Sequence, residues 1–138
     1  MKKILLLTLL IFKFSFSQKI IKDISLSKLI DETSGLEIID NQFITHNDSG
    51  GEPKLYYLNK KGKIISERKI TGVKNNDWED ITQDDKFIYV ADMGNNYDTR
   101  KNLSVIKIPK DKNSVIDPEI IKSVSYTRLR AHETRSYL

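Results

Sequence analysis

The feature that most constrains this chain is a stretch that occurs twice. Residues 77–100 read Asp77-Trp78-Glu79-Asp80-Ile81, then Lys86-Phe87-Ile88-Tyr89-Val90-Ala91-Asp92, then Met93-Gly94-Asn95-Asn96, closing on Arg100. The same plan comes earlier as Glu32-Thr33-Ser34-Gly35-Leu36, followed by Gln42-Phe43-Ile44-Thr45-His46-Asn47-Asp48-Ser49-Gly50-Gly51. Phe43 matches Phe87 and Asp48 matches Asp92 at a separation of 44, and Leu36 matches Ile81 at 45. In a chain of short strands, repetition at about 40–45 residues is the period of a β-propeller blade.

Turn-forming residues divide each copy into four strands. In the first copy the runs are Ser34–Ile39, Gln42–Asn47, Lys54–Asn59 and Lys63–Ile70, separated by Asp40-Asn41, Ser49-Gly50-Gly51 and Asn59-Lys60-Lys61-Gly62. In the second they are Trp78–Gln83, Lys86–Asp92, Asn102–Pro109 and Glu119–Thr127, separated by Asp84-Asp85 and the loops 94–101 and 110–118. Residues 18–31 predict a lead-in strand, with lysines set among Ile20-Ile21 and Leu29-Ile30. No segment sustains a 3.6-residue period, so the chain reads as all-β. The expected architecture is two four-stranded antiparallel blades of an incomplete β-propeller spanning 18–127, one over about 32–70 and one over about 77–127.

Residues 87–91 are apolar on both faces, as an inner strand covered on each side requires, whereas 63–70 and 120–126 drift toward the alternation of an outer edge. A two-sheet sandwich is the competing architecture, and the repeated loop chemistry favours blades.

The N-terminus carries a different signal. Met1-Lys2-Lys3 is a basic start, Ile4 to Phe12 is apolar but for Thr8, and Ser15-Phe16-Ser17 ends on a small residue. This is the pattern of a secretory signal peptide over 1–17, too short to span a bilayer. The expected destination is the periplasm or beyond. With no cysteine there is neither a lipoprotein acylation site nor a disulfide. Cleavage would leave 121 residues with 20 basic against 19 acidic side chains, so most of the net +4 charge belongs to the leader. No basic stripe for nucleic acid remains, and no later segment is apolar enough to cross a membrane.

A complete propeller needs about 4–8 blades, and two are visible here. Beyond Tyr126 the pattern stops, leaving 128–138 as an unpatterned tail. The chain therefore reads as the N-terminal part of a longer propeller whose remaining blades are missing, or else as a two-blade protein that oligomerises. Either way, Phe43, Ile44, Tyr89 and Val90 are expected on flanks that lack neighbours.

Polar residues at equivalent loop positions are Glu32, Asn47, Asp48, Glu79, Asp80, Asp92, Asn95 and Asn96, with His46 and Arg100 beside them. In a propeller such loops converge at the channel mouth, where carboxylate and amide oxygens suit Ca²⁺. The competing role is turn capping through side-chain-to-backbone hydrogen bonds. A local EF-hand fails: counted from Asp92, position 12 is Leu103 where a bidentate Glu is required.

Trp78 is expected to pack between blades, with sugar stacking as the weaker role. Arg100 pairs with Asp92 or Asp98, or clamps an anion. Gly50, Gly51 and Gly94 supply positive φ. His46-Asn47-Asp48-Ser49 invites a triad, but neighbours along one strand alternate faces, so His46 reads as structural, with general-base chemistry as the alternative. Two histidines and no cysteine make zinc a poor fit.

Residues 32–51, with Glu-Thr-Ser-Gly-Leu and His-Asn-Asp-Ser-Gly-Gly-Glu-Pro, resemble a family of exported bacterial β-propeller proteins, as do residues 77–100, with Asp-Trp-Glu-Asp-Ile and Ala-Asp-Met-Gly-Asn-Asn. The family is akin to the NHL, gluconolactonase and phytase-like propellers, and the likeness covers roughly residues 30–109. It implies polar loops meeting at one end of a central channel. Gluconolactonase-type propellers hold a metal with Glu, Asn and Asp, so the resemblance offers Glu32, Asn47 and Asp92 as Ca²⁺ ligands. The function expected is binding of a small molecule or protein without evident catalysis. The alternative is a calcium-dependent hydrolase of the lactonase, esterase or phosphatase type.

Overall fold

The computed structural model describes residues 22–111 and 117–123. The expected leader at 1–17 and tail at 128–138 lie outside the described residues.

Among the described residues eight strands form, and local turn chemistry sets their limits. Strands β1 (Thr33–Ile39) and β2 (Gln42–Asn47) are joined by Asp40 and Asn41, at φ 49° and 64°. Two successive left-handed residues are what a tight two-residue hairpin needs. Strands β3 (Lys54–Leu58) and β4 (Ile64–Lys69) follow; between them the Asn59 Oδ1 accepts the Lys61 and Lys63 N–H groups at 2.9 and 3.1 Å. Strands β5 (Trp78–Gln83) and β6 (Phe87–Asp92) are closed by Asp84, whose Oδ1 accepts the Lys86 and Phe87 N–H groups at 2.8 and 2.7 Å. Strands β7 (Ser104–Pro109) and β8 (Glu119–Lys122) complete the set.

The chain is thus all-β, in two four-stranded antiparallel sheets ordered β1-β2-β3-β4 and β5-β6-β7-β8. Among the described residues the two sheets do not close into a ring. The final strand, expected to run to Thr127, is described only as far as Lys122, and 124–127 lie outside the described residues. The described part of the lead-in is not a strand. Ser27 caps a single 3-10 turn, Lys28–Ile30, accepting the Leu29 N–H at 3.3 Å. That turn drops Ile30 against Tyr56 and Leu58, where it is 2 % exposed.

The first two strands of each sheet pair alike, at a spacing one residue longer than the match of Phe43 with Phe87 and of Asp48 with Asp92. Pairing slips once between Thr33 and Gly35 on β1, and again between Trp78 and Asp80 on β5, so each sheet carries a bulge at the same place. Gly35 pairs with His46 as Asp80 pairs with Ala91, and Leu36 with Thr45 as Ile81 with Val90. Every one of these equivalences is 45 apart. Asp92 therefore corresponds to Asn47 rather than Asp48, and Ile88 rather than Phe87 corresponds to Phe43.

Sheet one lies on one face of sheet two, with β1 against β5. Ile44, Leu55 and Tyr57 from the first and Ile88, Val90, Ile106 and Ile108 from the second form one core with Trp78. At the seam the Gln83 Nε2 donates to the Ile38 carbonyl at 2.6 Å. The opposite face of sheet one is covered in part by the lead-in turn, which buries Tyr56 and Leu58 with Phe43 beside them.

This corrects the expected flanks: Ile44 and Val90 are fully buried at the seam, and Phe43 packs in the lead-in cluster. Only Tyr89 lies on the open face, with Phe87, Ala91 and Val105 half-buried beside the exposed Ile121. The run 87–91 is accordingly covered on one side, by sheet one.

Candidate functional site

The polar candidates gather where the bulges are, at the end of the seam where β2 and β6 finish. One backbone bond joins the two sheets there and a second holds Asp48 within the first. The Trp78 N–H donates to the Asp48 carbonyl at 2.6 Å, and the Asp48 N–H donates to the Glu32 carbonyl at 2.8 Å. Asp48, at the end of β2, is thereby held beside the start of β5.

Three carboxylates meet at this point. Oxygens of Asp48, Asp77 and Glu79 lie within 4.8 Å of one another. Desolvation raises the Asp48 pKa first, and the hydrogen bond with Asp77 and the charges of Asp77, Glu79 and Glu32 add to it, bringing the value to about 6. The Asp48 Oδ1 is buried with no partner within the protein. Carboxylates this close either share a proton or surround a cation. Hard oxygen donors at this spacing fit Ca²⁺ in type, with remaining coordination left to water or a ligand.

Asp92 sits apart from that cluster and is saturated. Its Oδ1 accepts from the Arg100 Nη2 at 2.9 Å and from the Asp77 N–H at 3.1 Å, while Oδ2 accepts the Asn76 amide at 2.6 Å. Arg100 also donates to the Gly94 carbonyl at 2.7 Å, and its own N–H goes to the Asn95 Oδ1 at 2.8 Å. The Asp92–Arg100 pairing expected from the sequence is present, and it ties the 93–101 loop to the end of β6. The Asn47 amide donates to the Leu29 carbonyl at 3.0 Å, its Oδ1 being buried without a partner. Glu32 is exposed, Asp80 accepts the Ile81 N–H at 2.8 Å, and Asn96 is exposed. The structure thus brings Asp48 and Glu79 together with Asp77, and commits Asp92, Asn95 and Arg100 to loop architecture.

Asp77 is absent from the polar candidates drawn from the sequence, although at the 45-residue spacing of the paired strands it stands where Glu32 does in the first sheet. Its signal is Gly94. A Cβ there would overlap the Asp77 carboxyl group, so glycine at 94 is required by close approach. Of the three glycines expected in the left-handed region, only Gly50 is there, at φ 70°.

His46 is fully buried and stands edge-on to Trp78, ring centroids 5.6 Å apart. Its Nδ1 lies 3.2 Å from the Asn47 carbonyl and 3.3 Å from the Ser34 Oγ. A carbonyl only accepts, so Nδ1 carries the proton and the lone pair is on Nε2. That nitrogen faces Gly35, where a Cβ would come within 2.7 Å. Burial lowers the His46 pKa, consistent with a neutral ring. The Ser34 hydroxyl donates to the Trp78 carbonyl at 2.5 Å. Ser34, His46 and Trp78 therefore fasten one bulge to the other across the seam.

Among the described residues no helix is long and apolar enough to cross a membrane. Comparison of the chain with protein-family models, with curated proteins and with solved structures finds no match.

Proposed function

We propose that this chain is an exported binding module built as two blades of an incomplete β-propeller, with its ligand end at the paired bulges. The carrying observation is the 45-residue equivalence of the β1–β2 and β5–β6 hairpins, each with a bulge at the same place in its first strand, with β1 laid against β5. Blades stacked in this way bring matching strand ends to one place, and Asp48 and Glu79 meet Asp77 there. Exposed Leu36 and Ile38 on one side, and the face of Phe87, Tyr89 and Val105 on the other, are where further blades would pack. The leader-like N-terminus supports export. Binding without catalysis is favoured by His46, whose lone pair is buried against Gly35 and out of reach of a substrate. The test is turnover of lactone, ester and phosphoester panels by the purified chain. None is expected.

A second reading is favoured by the Asp48–Asp77–Glu79 cluster: a calcium-dependent hydrolase. These three side chains would hold the ion, and a bound Ca²⁺ would polarise a carbonyl or phosphoryl oxygen. Extracellular calcium modules bind in the range of about 10⁻⁴–10⁻³ M. A hundredfold excess of ion over Kd stabilises the native state by about 2.7 kcal/mol, readily seen in a thermal melt. Calcium-dependent turnover that Glu79→Gln abolishes would establish this reading over the first. A melt unmoved by about 100 mM Ca²⁺, a hundredfold above the weakest of these constants, would remove it.

A further inference from the structure

A separate cleft lies beyond the acidic cluster, at the outer part of sheet two. Sheet one covers the β5–β7 side of its core face, so Ile106 is 2 % exposed, while Ile120 directly opposite on β8 is 51 % exposed. The connection from sheet one, around Gly72–Asn76, forms the facing wall. The space between is about 670 Å³, within the range of small-molecule sites, roughly 300–1,000 Å³.

Its lining has two characters. Val73, Leu103, Ile106 and Ile120 supply an apolar floor. Lys74 from the connection, Lys101 from the loop before β7 and Lys122 at the end of β8 supply the rim. Lys122 pairs with Ser104, which pairs with Asp92, so Lys122 is on the same sheet face as the floor. Among the described residues the ion pairs involve other lysines, and none of these three is in one. The one carboxylate lining the cleft, Asp92, is already held by Arg100, Asn76 and the Asp77 N–H. Three unneutralised ammonium groups over an apolar floor create a positive potential that a bound anion would relieve.

We infer that this cleft binds an organic anion with an apolar body, its acid group among Lys74, Lys101 and Lys122 and its hydrocarbon part on Ile106 and Ile120. The inference stands apart from the propeller reading, since it uses the cleft alone. A carboxylate and a phosphate ester share this chemistry.

Titration calorimetry of the full chain at low salt, with octanoate and octyl phosphate as probes, tests it. Octylammonium and inorganic phosphate are the controls. Either octyl anion should bind about tenfold tighter than both controls, and the tighter of the two fixes the headgroup. Lys74→Gln, Lys101→Gln and Lys122→Gln should each weaken binding roughly two- to fivefold, in line with exposed ion pairs. Ile120→Ser should weaken it too, and added salt should weaken it throughout. All four positions but one are exposed lysines, and a melt of each variant confirms the fold. Octylammonium binding as tightly as octanoate, affinity unchanged in the triple lysine variant, or no heat at millimolar probe would each overturn the proposal.

Discussion

The Ser34 hydroxyl donates to the Trp78 carbonyl at 2.5 Å, so the bulged residue of sheet one is bonded to the residue beside the bulge of sheet two. A bulge leaves a residue outside the ladder, and here that residue joins the sheets. Ser34→Ala removes a bond to a carbonyl at the seam and a contact of His46 Nδ1. The expected loss is about 1–2 kcal/mol, measured as a shift in the urea midpoint at constant slope. No shift would mean that water replaces the hydroxyl.

The Asp92–Arg100 pair should matter more. The two side chains are 4 % and 17 % exposed, and Asp92 also satisfies Asn76 and the Asp77 N–H. Removing one partner of a buried pair costs about 3–5 kcal/mol. Asp92→Ala is expected in that range and Arg100→Ala somewhat below it, because Arg100 reaches the surface. The double variant should lose less than the sum by more than about 1 kcal/mol. Strict additivity in chemical denaturation would contradict a direct pair.

Much of this fold is legible in the sequence, for local reasons. Gln42–Asn47 and Trp78–Gln83 end where expected because Asp40-Asn41 and Asp84 close their hairpins with chemistry available from neighbours. The repeat was legible as a period but not as a register. Matching Phe43 to Phe87 slips one residue, and one residue in a strand changes the face. Phe43 indeed lies on the lead-in side and Phe87 on the open side. The lead-in misleads because its apolar residues serve a turn that drops Ile30 into a hollow made by β3, which only the tertiary structure supplies. Asp77 was hidden for the same reason, since its place beside Asp48 depends on a bond between copies.

Stability should fall as Asp48 ionises. Burial, the hydrogen bond with Asp77 and the charges of Asp77, Glu79 and Glu32 raise the folded-state pKa of Asp48 to about 6. In an unfolded chain an aspartate titrates near ~3.9. The folded chain therefore keeps a proton that the unfolded chain has lost between these values. The stabilisation is fully present below about pH 4 and is lost as pH rises through about 6. Asp48→Asn should flatten this dependence and be the more stable form at pH 7. Urea midpoints from pH 4 to 7.5 provide the comparison, and an equal slope in the variant would assign the effect elsewhere.

The open face of sheet two predicts association. Phe87 is partly screened by the Lys107 ammonium 4.4 Å above its ring, and Tyr89 by its bond to Asp84. Val105 and the 43 % exposed Ile121 have no such cover. The chain from residue 18 onward is expected to be oligomeric or aggregated at micromolar concentration. Ile121→Lys should shift sedimentation velocity toward monomer, while changing stability by no more than about 0.5 kcal/mol, as exposed substitutions usually do. A monodisperse wild-type monomer with a sharp melt would rule out an adhesive face.

Gly94 and Asp77 offer the most specific test of the site. The Gly94 N–H donates to the Asp77 carbonyl at 3.0 Å, and the Asp77 carboxyl group occupies the space of a Cβ at position 94. Gly94→Ala must therefore displace either the loop or the Asp77 side chain. Overpacking of this kind costs about 1–3 kcal/mol. If the side chain yields, Asp77 leaves Asp48 and Glu79, and any stabilisation by Ca²⁺ should shrink with it. Shortening the side chain in Asp77→Ala should then make Gly94→Ala nearly harmless. The double-variant cycle measures this, with a coupling of about 1 kcal/mol or more expected for residues in contact. Losses that add within about 0.5 kcal/mol would show that the loop moves instead, leaving the carboxylate cluster as it is.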